Sequence, residues 1–143
     1  MAKIIAVCTS DIKGIQKTQQ NYINLIVNHG IEGDAHAGDW HRQVSLLSYE
    51  KIEDFKAKGV DLLNGAFGEN IIVSGINLSA LEIGTKLKAG TVILEVTQIG
   101  KECHHHCAIY HKVGDCIMPR EGIFAKVLSE GRLQQGDEIH VVS

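Results

Sequence analysis

The sequence is poor in several features that mark particular classes of protein. It contains no basic run, and its 14 lysines and arginines are outnumbered by 17 aspartates and glutamates, which gives a net charge of −3. This balance argues against nucleic acid or an anionic membrane as the main partner. One tryptophan, three tyrosines and three phenylalanines also provide few rings on which the bases of a single strand can stack.

Long apolar runs are missing as well. No run approaches the roughly 18 residues that span a bilayer, and the N-terminal stretch IIAVC is shorter than the core of about 7–15 residues in a signal peptide. We therefore expect a cytoplasmic protein with no membrane partner. In that compartment cysteines stay reduced, which favours metal binding or catalysis over disulfides. The cysteines concerned are Cys8, Cys103, Cys107 and Cys116.

Proline occurs once, whereas 15 glycines separate short apolar runs along the whole chain. This rhythm is typical of an all-β protein. The clearest prediction is a β-hairpin in TKLKAGTVILEV, where apolar and polar residues alternate on both sides of a glycine turn. The predicted strands are Lys3–Cys8, Tyr22–Val27, Gln43–Leu47, Asn70–Ser74, Thr85–Lys88, Thr91–Thr97 and Glu138–Val142.

Two helices are predicted between these strands. SYEKIEDFKAKG predicts a helix that begins at a capping Ser48 and ends at Gly59. PREGIFAKVLSEG predicts a second helix, from Pro119 to Gly131. Together the elements predict one mainly β domain over residues 1–143. We expect a closed or nearly closed β-barrel of about seven strands with two or three short helices, because closure leaves no exposed sheet edge.

The densest cluster of chemically active residues is ECHHHC, residues 102–107, which follows a predicted strand and therefore occupies a loop at a strand end. Thiolates suit zinc, copper(I) and other soft metals, and imidazoles can complete the ligand set. A protonated histidine would also lower the pKa of a neighbouring cysteine and make it a better nucleophile. The alternative is a structural zinc site, with Cys103 and Cys107 as one ligand pair and His111 and Cys116 as the other.

A second candidate site is GIEGDAHAGDWHRQVSLL, residues 30–47. Glycines around Asp34 and His36 allow backbone amides to approach an anion closely. The guanidinium of Arg42 can bind a phosphate or a carboxylate through two parallel hydrogen bonds. The alternative is a polar turn in which Asp34 binds its own backbone.

The third candidate site is GAFGENIIVSG, residues 65–75. Asn70 stands at the start of an apolar strand and carries both a donor and an acceptor, so it can clamp the edge of a ligand. The alternative is a glycine turn that enters a core strand, with Asn70 tying the loop.

Four stretches together resemble the MOSC domain, which is named for the C-terminal domain of molybdenum cofactor sulfurase. Their length and order are similar to those of small stand-alone bacterial MOSC proteins. The resemblance implies a mainly β, barrel-like fold and a role around the molybdenum cofactor, with a cysteine that carries sulfur or holds the pterin-bound metal. The stretches are GDAHAGDWHRQVSLL (33–47), GAFGENIIVSG (65–75), LEVTQIGKECHHHC (94–107) and CIMPREGIFAKVLSEGRLQQGDEI (116–139).

The resemblance also assigns candidate roles to individual residues. The catalytic thiolate is Cys103 or Cys107, two positions between which the spacing does not decide. The candidate metal ligands are Cys103, Cys107 and Cys116. The candidate cofactor-binding residues are Asp34, His36, Arg42 and Asn70.

Three functions follow as hypotheses. The first is a carrier of a molybdenum or tungsten pterin cofactor, or of a persulfide destined for it. The 143 residues hold no pyridoxal-phosphate domain of the kind that supplies sulfur in full cofactor sulfurases, so we expect a cysteine desulfurase or a molybdoenzyme as partner. The second is a non-catalytic binding module stapled by zinc. The third is a small molybdenum-dependent reductase of N-hydroxylated compounds, similar to the amidoxime-reducing enzymes.

Overall fold

The structure is a computed structural model that describes residues 2–11, 17–35, 37–57, 64–65, 69–100 and 122–142. Several predicted features lie outside these residues. They are His36, the end of the first helix at Gly59, the start of the second at Pro119, and the candidate ligands Cys103, Cys107, His111 and Cys116.

Strands dominate the described residues. Seven of them confirm the predicted strands, with ends that shift by one or two residues. The strands are β1 (Lys3–Thr9), β2 (Thr18–Gln20), β3 (Tyr22–Ile26), β4 (Gly30–Ile31), β5 (Val44–Ser48), β6 (Ile71–Ser74), β7 (Lys86–Ala89), β8 (Val92–Ile99), β9 (Ile123–Ser129), β10 (Gly131–Gln134) and β11 (His140–Val141), with one α-helix, α1 (Tyr49–Lys56), and a 3-10 turn at Leu78–Ala80.

The strands form two sheets. The larger has eight strands in the order β11-β7-β8-β9-β5-β6-β1-β2, and the smaller has three in the order β10-β3-β4. Only the β5–β6 pair is parallel among these strands. The hairpin predicted in TKLKAGTVILEV is confirmed as β7 and β8.

The predicted closed barrel is wrong, because the larger sheet is open. Its edges are β11 and β2, and both are only two or three residues long. All three residues of β2 are polar and exposed. Short polar edges discourage pairing with another chain, so the sheet does not need closure to protect them.

The second predicted helix is also wrong, because Ile123–Ser129 forms β9 between β5 and β8. Ile123, Ala125 and Val127 point into the core, while Phe124 is buried on the opposite face. The apolar positions that fit a helix also fit this alternation of period two. Pairing on both sides overrides the local helical preference.

The first predicted helix is confirmed as α1, which packs against β5 and β6. Ser48 does not act as expected, since it ends β5. Its hydroxyl donates to the carbonyl of Ile76 at 2.9 Å and accepts from the amide of Leu78 at 3.2 Å. Among the described residues, no helix has the length and hydropathy needed to cross a bilayer.

The larger sheet is buried on both faces at its centre. One face belongs to the main hydrophobic core, and β5 is buried along its whole length. The other face carries a second set of buried apolar residues: Ala6, Cys8, Leu47, Ile72 and Phe124. The functional candidates lie on this second face.

Candidate functional site

A row of five residues crosses the second face at one level. The register places Ile71 opposite Val7 and Leu46, so the preceding residue, Asn70, lies between β1 and β5. The register of β9 with β5 and β8 then continues the row. This cross-strand row consists of Cys8, Asn70, Ser45, Phe124 and Gln98.

Asn70 ties the first three strands of the row together and is fully buried. Its Oδ1 accepts from the amide of Ser45 at 3.0 Å and from the hydroxyl of Ser45 at 3.1 Å. Its Nδ2 donates to the carbonyl of Cys8 at 3.0 Å. The side chain therefore binds both neighbouring strands and adds to the backbone hydrogen bonds that Asn70 forms with Cys8 and Ser45.

Asp34 lies near the Cys8 end of the row, in an ion pair that water does not reach. Its Oδ1 is 2.9 Å from Nζ of Lys17, and the two side chains are 0% and 1% exposed. The same oxygen accepts from the amide of Ser10 at 3.1 Å. The carboxylate therefore joins the end of β1 to the loop that leads to Arg42.

Glu69 and Gly65 complete this buried region. Oε2 of Glu69 accepts from the amide of Gly65 at 3.1 Å, and the Gly65 carbonyl accepts from the amide of Lys17 at 2.9 Å. A Cβ at Gly65 would lie 2.2 Å from the carbonyl oxygen of Lys17, and its φ is +93°. Only glycine fits this close approach of two backbones.

Cys8 is the one cysteine within the described part of the chain, and it is fully buried. Burial raises the pKa of its thiol from 9.0 to about 12. The carboxylate of Glu69 adds to the increase, and the ammonium of Lys17 opposes it. Cys8 is therefore a neutral thiol at physiological pH and a poor nucleophile. We call Cys8, Lys17, Asp34, Glu69 and Asn70 the buried junction.

The opposite end of the row is more accessible to solvent. Oε1 of Gln98 accepts from Nε of Arg42 and bonds to Nε2 of His41, both at 3.0 Å. The guanidinium carbon of Arg42 lies 5.2 Å from the centre of the Phe124 ring. His41 is exposed, and its ring meets that of Trp40 edge-on at 5.7 Å between the ring centres.

Gln98 also connects these side chains to the base of the cysteine-rich segment. Its Nε2 donates to the carbonyl of Gly100 at 2.7 Å. The amide of Gly100 donates to the carbonyl of Gly122 at 2.6 Å. Gly100 and Gly122, the described residues that flank segment 101–121, are therefore bonded to each other, and Gly100 is bonded to Gln98. We call His41, Arg42, Gln98 and Gly100 the open junction.

The predicted site residues are thus divided between two places. Arg42 lies at the open junction, whereas Asp34 and Asn70 lie at the buried junction. Within the ranges that the structure describes, no group of three or more histidines, cysteines, aspartates or glutamates is arranged to hold a metal. Metal ligation by Cys103, Cys107 and Cys116 stays a prediction, as does cofactor binding by His36.

Sequence reasoning missed four residues of the two junctions. His41 and Gln98 fall inside stretches that the sequence analysis had singled out. Two signals could have found them: His41 directly precedes Arg42, and Gln98 shortly precedes the cysteine cluster. Glu69 also falls inside such a stretch, GAFGENIIVSG, whereas Lys17 falls in none, and a lone lysine or glutamate is most often solvated. Only the three-dimensional structure shows that they are buried.

Two cavities lie elsewhere and include no residue of either junction. A polar one of about 270 Å³ is lined by Thr9, Gln20, Asn21, Tyr22, Ile23, Asn24 and Glu32. A mainly apolar one of about 360 Å³ is lined by Ala2, Ile76, Glu138, Ile139, His140 and Val141. Neither cavity is lined by residues from two of the predicted site stretches.

Comparison with known proteins supports one family. The family model described as "MOSC domain" matches residues 32–140. The YuaD protein from Bacillus subtilis is similar in structure, with a TM-score of 0.81 at 22% identity, covering 99% of this chain and 96% of that one. YiiM from Geobacillus stearothermophilus gives a TM-score of 0.75 at 22% identity, covering 100% and 76%. YiiM from Escherichia coli gives 0.69 at 19% identity, covering 100% and 70%.

The structural likenesses show that the fold is shared, at identities too low to transfer a function. The search of curated proteins gave no match. The matched range 32–140 contains both the open junction and the whole segment 101–121.

Proposed function

Because the chain belongs to the MOSC domain family, we propose that it holds a molybdenum or tungsten pterin cofactor, or a persulfide sulfur destined for that cofactor. The family is associated with this cofactor. In the proposal, the thiolate of Cys103 or Cys107 is the ligand or the sulfur carrier, and Cys116 is a further candidate ligand. The observation that carries the proposal is that the open junction adjoins both ends of segment 101–121.

Arg42 is the group that we propose for the anionic part of the cofactor. Its Nε is bound to Gln98, and within the described residues neither of its Nη groups has a hydrogen-bond partner. A guanidinium held on one side and open on the other suits a phosphate, which takes two parallel hydrogen bonds. The exposed ring of His41 lies beside it, and because its Nε2 is bound to Gln98, its Nδ1 can donate to the anion when the ring is protonated.

The residue set therefore fits the cofactor. Thiolate is a soft ligand that suits a soft metal centre, and the sequence places three thiols between Gly100 and Gly122. When bound, the cofactor would supply the redox chemistry or the acceptor for sulfur. The chain itself would bind the anionic group, hold the thiolate and place the two beside each other.

The carrier version of the proposal requires one covalent step. The thiolate of Cys103 or Cys107 attacks the outer sulfur of a persulfide on a cysteine desulfurase. A new sulfur–sulfur bond forms, the bond in the donor breaks, and the donor cysteine leaves as a thiolate. The chain then carries the sulfur as a persulfide, without net oxidation or reduction.

Asp34, His36 and Asn70 stay proposed contributors to cofactor binding. For Asp34 and Asn70 we propose an indirect contribution, because their side chains bind other parts of the chain. Asp34 fixes the loop before Arg42, and Asn70 fixes Ser45 just after it. Together they would hold Arg42 in place.

Cysteine variants test this function. The wild type, Cys103→Ser, Cys107→Ser and Cys116→Ser would be purified without oxygen. Bound metal would be measured by mass spectrometry, pterin by fluorescence after oxidation, and persulfide by labelling. We expect Cys103→Ser or Cys107→Ser to lose the cofactor or the persulfide while keeping the fold.

Cys8→Ala is the matched control, because Cys8 is buried and its high pKa keeps it protonated. It should load like the wild type. Normal loading of both Cys103→Ser and Cys107→Ser would refute the proposal. Stoichiometric zinc without pterin would replace it with the zinc-stapled binding module. Reduction of an N-hydroxylated compound by the loaded protein with a chemical reductant would identify it as a reductase.

A further inference from the structure

We propose that Gln98 is a positioning residue that holds Arg42 and His41 in the orientation that binds an anion beside the cysteine-rich segment. This inference rests on the proposed function and deepens it. Gln98 has three hydrogen bonds within 3.0 Å, and each goes to a different residue of the open junction. Among the described residues, no other side chain forms hydrogen bonds with both Arg42 and Gly100.

The chemistry of its partners allows only one orientation of the Gln98 amide. Nε of Arg42 is always a donor, so the atom facing it must be the amide oxygen. The carbonyl of Gly100 is always an acceptor, so the atom facing it must be the amide nitrogen. An inverted amide would set donor against donor and acceptor against acceptor. His41 must then donate from Nε2, which fixes its tautomer when the ring is neutral.

The two ends of this amide fix two different parts of the junction. Its oxygen accepts from Nε of Arg42, and the Phe124 ring lies 5.2 Å from the guanidinium carbon, which leaves the Nη groups without a hydrogen-bond partner among the described residues. Its nitrogen holds the carbonyl of Gly100, whose amide binds Gly122. A bound anion and Gly100, the last described residue before segment 101–121, would therefore be positioned by one side chain.

Removal of the Gln98 amide should weaken anion binding without unfolding the chain. Gln98→Leu and Gln98→Met keep the size of the side chain and lose all three hydrogen bonds. A hydrogen bond to a charged group corresponds to about tenfold or more in an equilibrium constant. We therefore expect the affinity for inorganic phosphate to fall about tenfold in either variant.

Trp40 provides the signal, because it is the only tryptophan in the sequence and its ring lies 5.7 Å from that of His41. Cofactor-free protein would be titrated with inorganic phosphate, and Trp40 fluorescence would be followed with calorimetry as a check. The control is Gln134→Leu, the same substitution at an exposed position of β10. It should bind phosphate like the wild type.

A second comparison separates positioning from a general structural role. Arg42→Lys keeps the charge but has no Nε–H for Gln98. In that background Gln98→Leu should cost less than about threefold, because two residues that act through one bond are not additive. Three results would each overturn the inference. They are the same tenfold loss of phosphate affinity in both backgrounds, unchanged phosphate binding in Gln98→Leu, and no phosphate binding by the wild type.

The test of Gln98 and the test with cysteine variants can fail independently of each other. A wild type that loads the cofactor, with Gln98→Leu loading equally well, would refute the positioning role and leave the function. A wild type that carries neither pterin nor a persulfide, while phosphate binding still depends on Gln98, would refute the function and leave the positioning role.

Discussion

The two ends of the cross-strand row hold similar residue types in opposite environments. At the buried junction, Lys17 and Asp34 form an ion pair that is at most 1% exposed, and Asn70 binds both adjacent strands. At the open junction, Arg42 forms one hydrogen bond within the described part of the chain, and His41 is exposed. Both ends come from glycine-framed polar loops. Burial and partners, rather than residue type, separate a group that stabilises the fold from one that can bind a ligand.

Lys17→Met should destabilise the buried junction most, because it leaves the buried carboxylate of Asp34 charged and removes the ammonium that pairs with it. We expect a loss of about 3–5 kcal/mol in the free energy of unfolding, as for other buried pairs that lose one member. Denaturation in urea at neutral pH measures it.

The control is Lys126→Met. Lys126 pairs with Glu95 at 3.2 Å, but the two side chains are 40% and 25% exposed. Such a surface pair contributes about 0–1 kcal/mol. Equal losses in the two variants would show that the burial of the Lys17–Asp34 pair has no energetic consequence.

Asn70→Ala should produce the next largest effect. It leaves the buried amide of Ser45 and the buried carbonyl of Cys8 without their side-chain partner, at about 1–3 kcal/mol for a group left unsatisfied. Asn77→Ala is the matched substitution at an exposed site and should change the free energy of unfolding by less than about 0.5 kcal/mol. A stability for Asn70→Ala close to that of the wild type would argue that water replaces the amide.

Cys8 gives an effect that is confined to high pH. Its pKa is raised from 9.0 to about 12, chiefly by burial, so the folded chain keeps a proton that the unfolded chain loses above pH 9. This contribution is complete below pH 9 and is lost as pH rises towards 12, by about 1.4 kcal/mol per pH unit. The difference in the free energy of unfolding between the wild type and Cys8→Ala should therefore change with pH only between about pH 9 and pH 12. Parallel pH profiles for the two proteins across pH 9–12 would contradict the raised pKa.

Much of the fold could be predicted from local pattern, because strands such as β3 and β8 alternate clearly. The failures have physical causes. IFAKVLS satisfies a helical and an extended periodicity at once, and only its two neighbours select the strand. β2 is entirely polar, so no apolar pattern marks it. Closure of the sheet depends on how its edges are protected, which no single strand encodes.

The candidate site could be predicted in part. Arg42 stands out because its position before an apolar strand and its glycine-rich context are visible in the sequence. The partners that decide its role are not visible, because Gln98 and Phe124 are 56 and 82 positions away along the chain. The separation of Asp34 and Asn70 from Arg42 also depends on strand register, which the sequence does not specify.

The most direct test of the account is the pterin and metal content of Arg42→Met, purified without oxygen beside the wild type. Arg42 is half-buried and belongs to no buried ion pair among the described residues, so the variant should keep its free energy of unfolding within about 1 kcal/mol. We predict molybdenum or tungsten with pterin in the wild type and a loss of about tenfold or more in the variant. Equal pterin and metal in both proteins, or zinc without pterin in the wild type, would contradict the account.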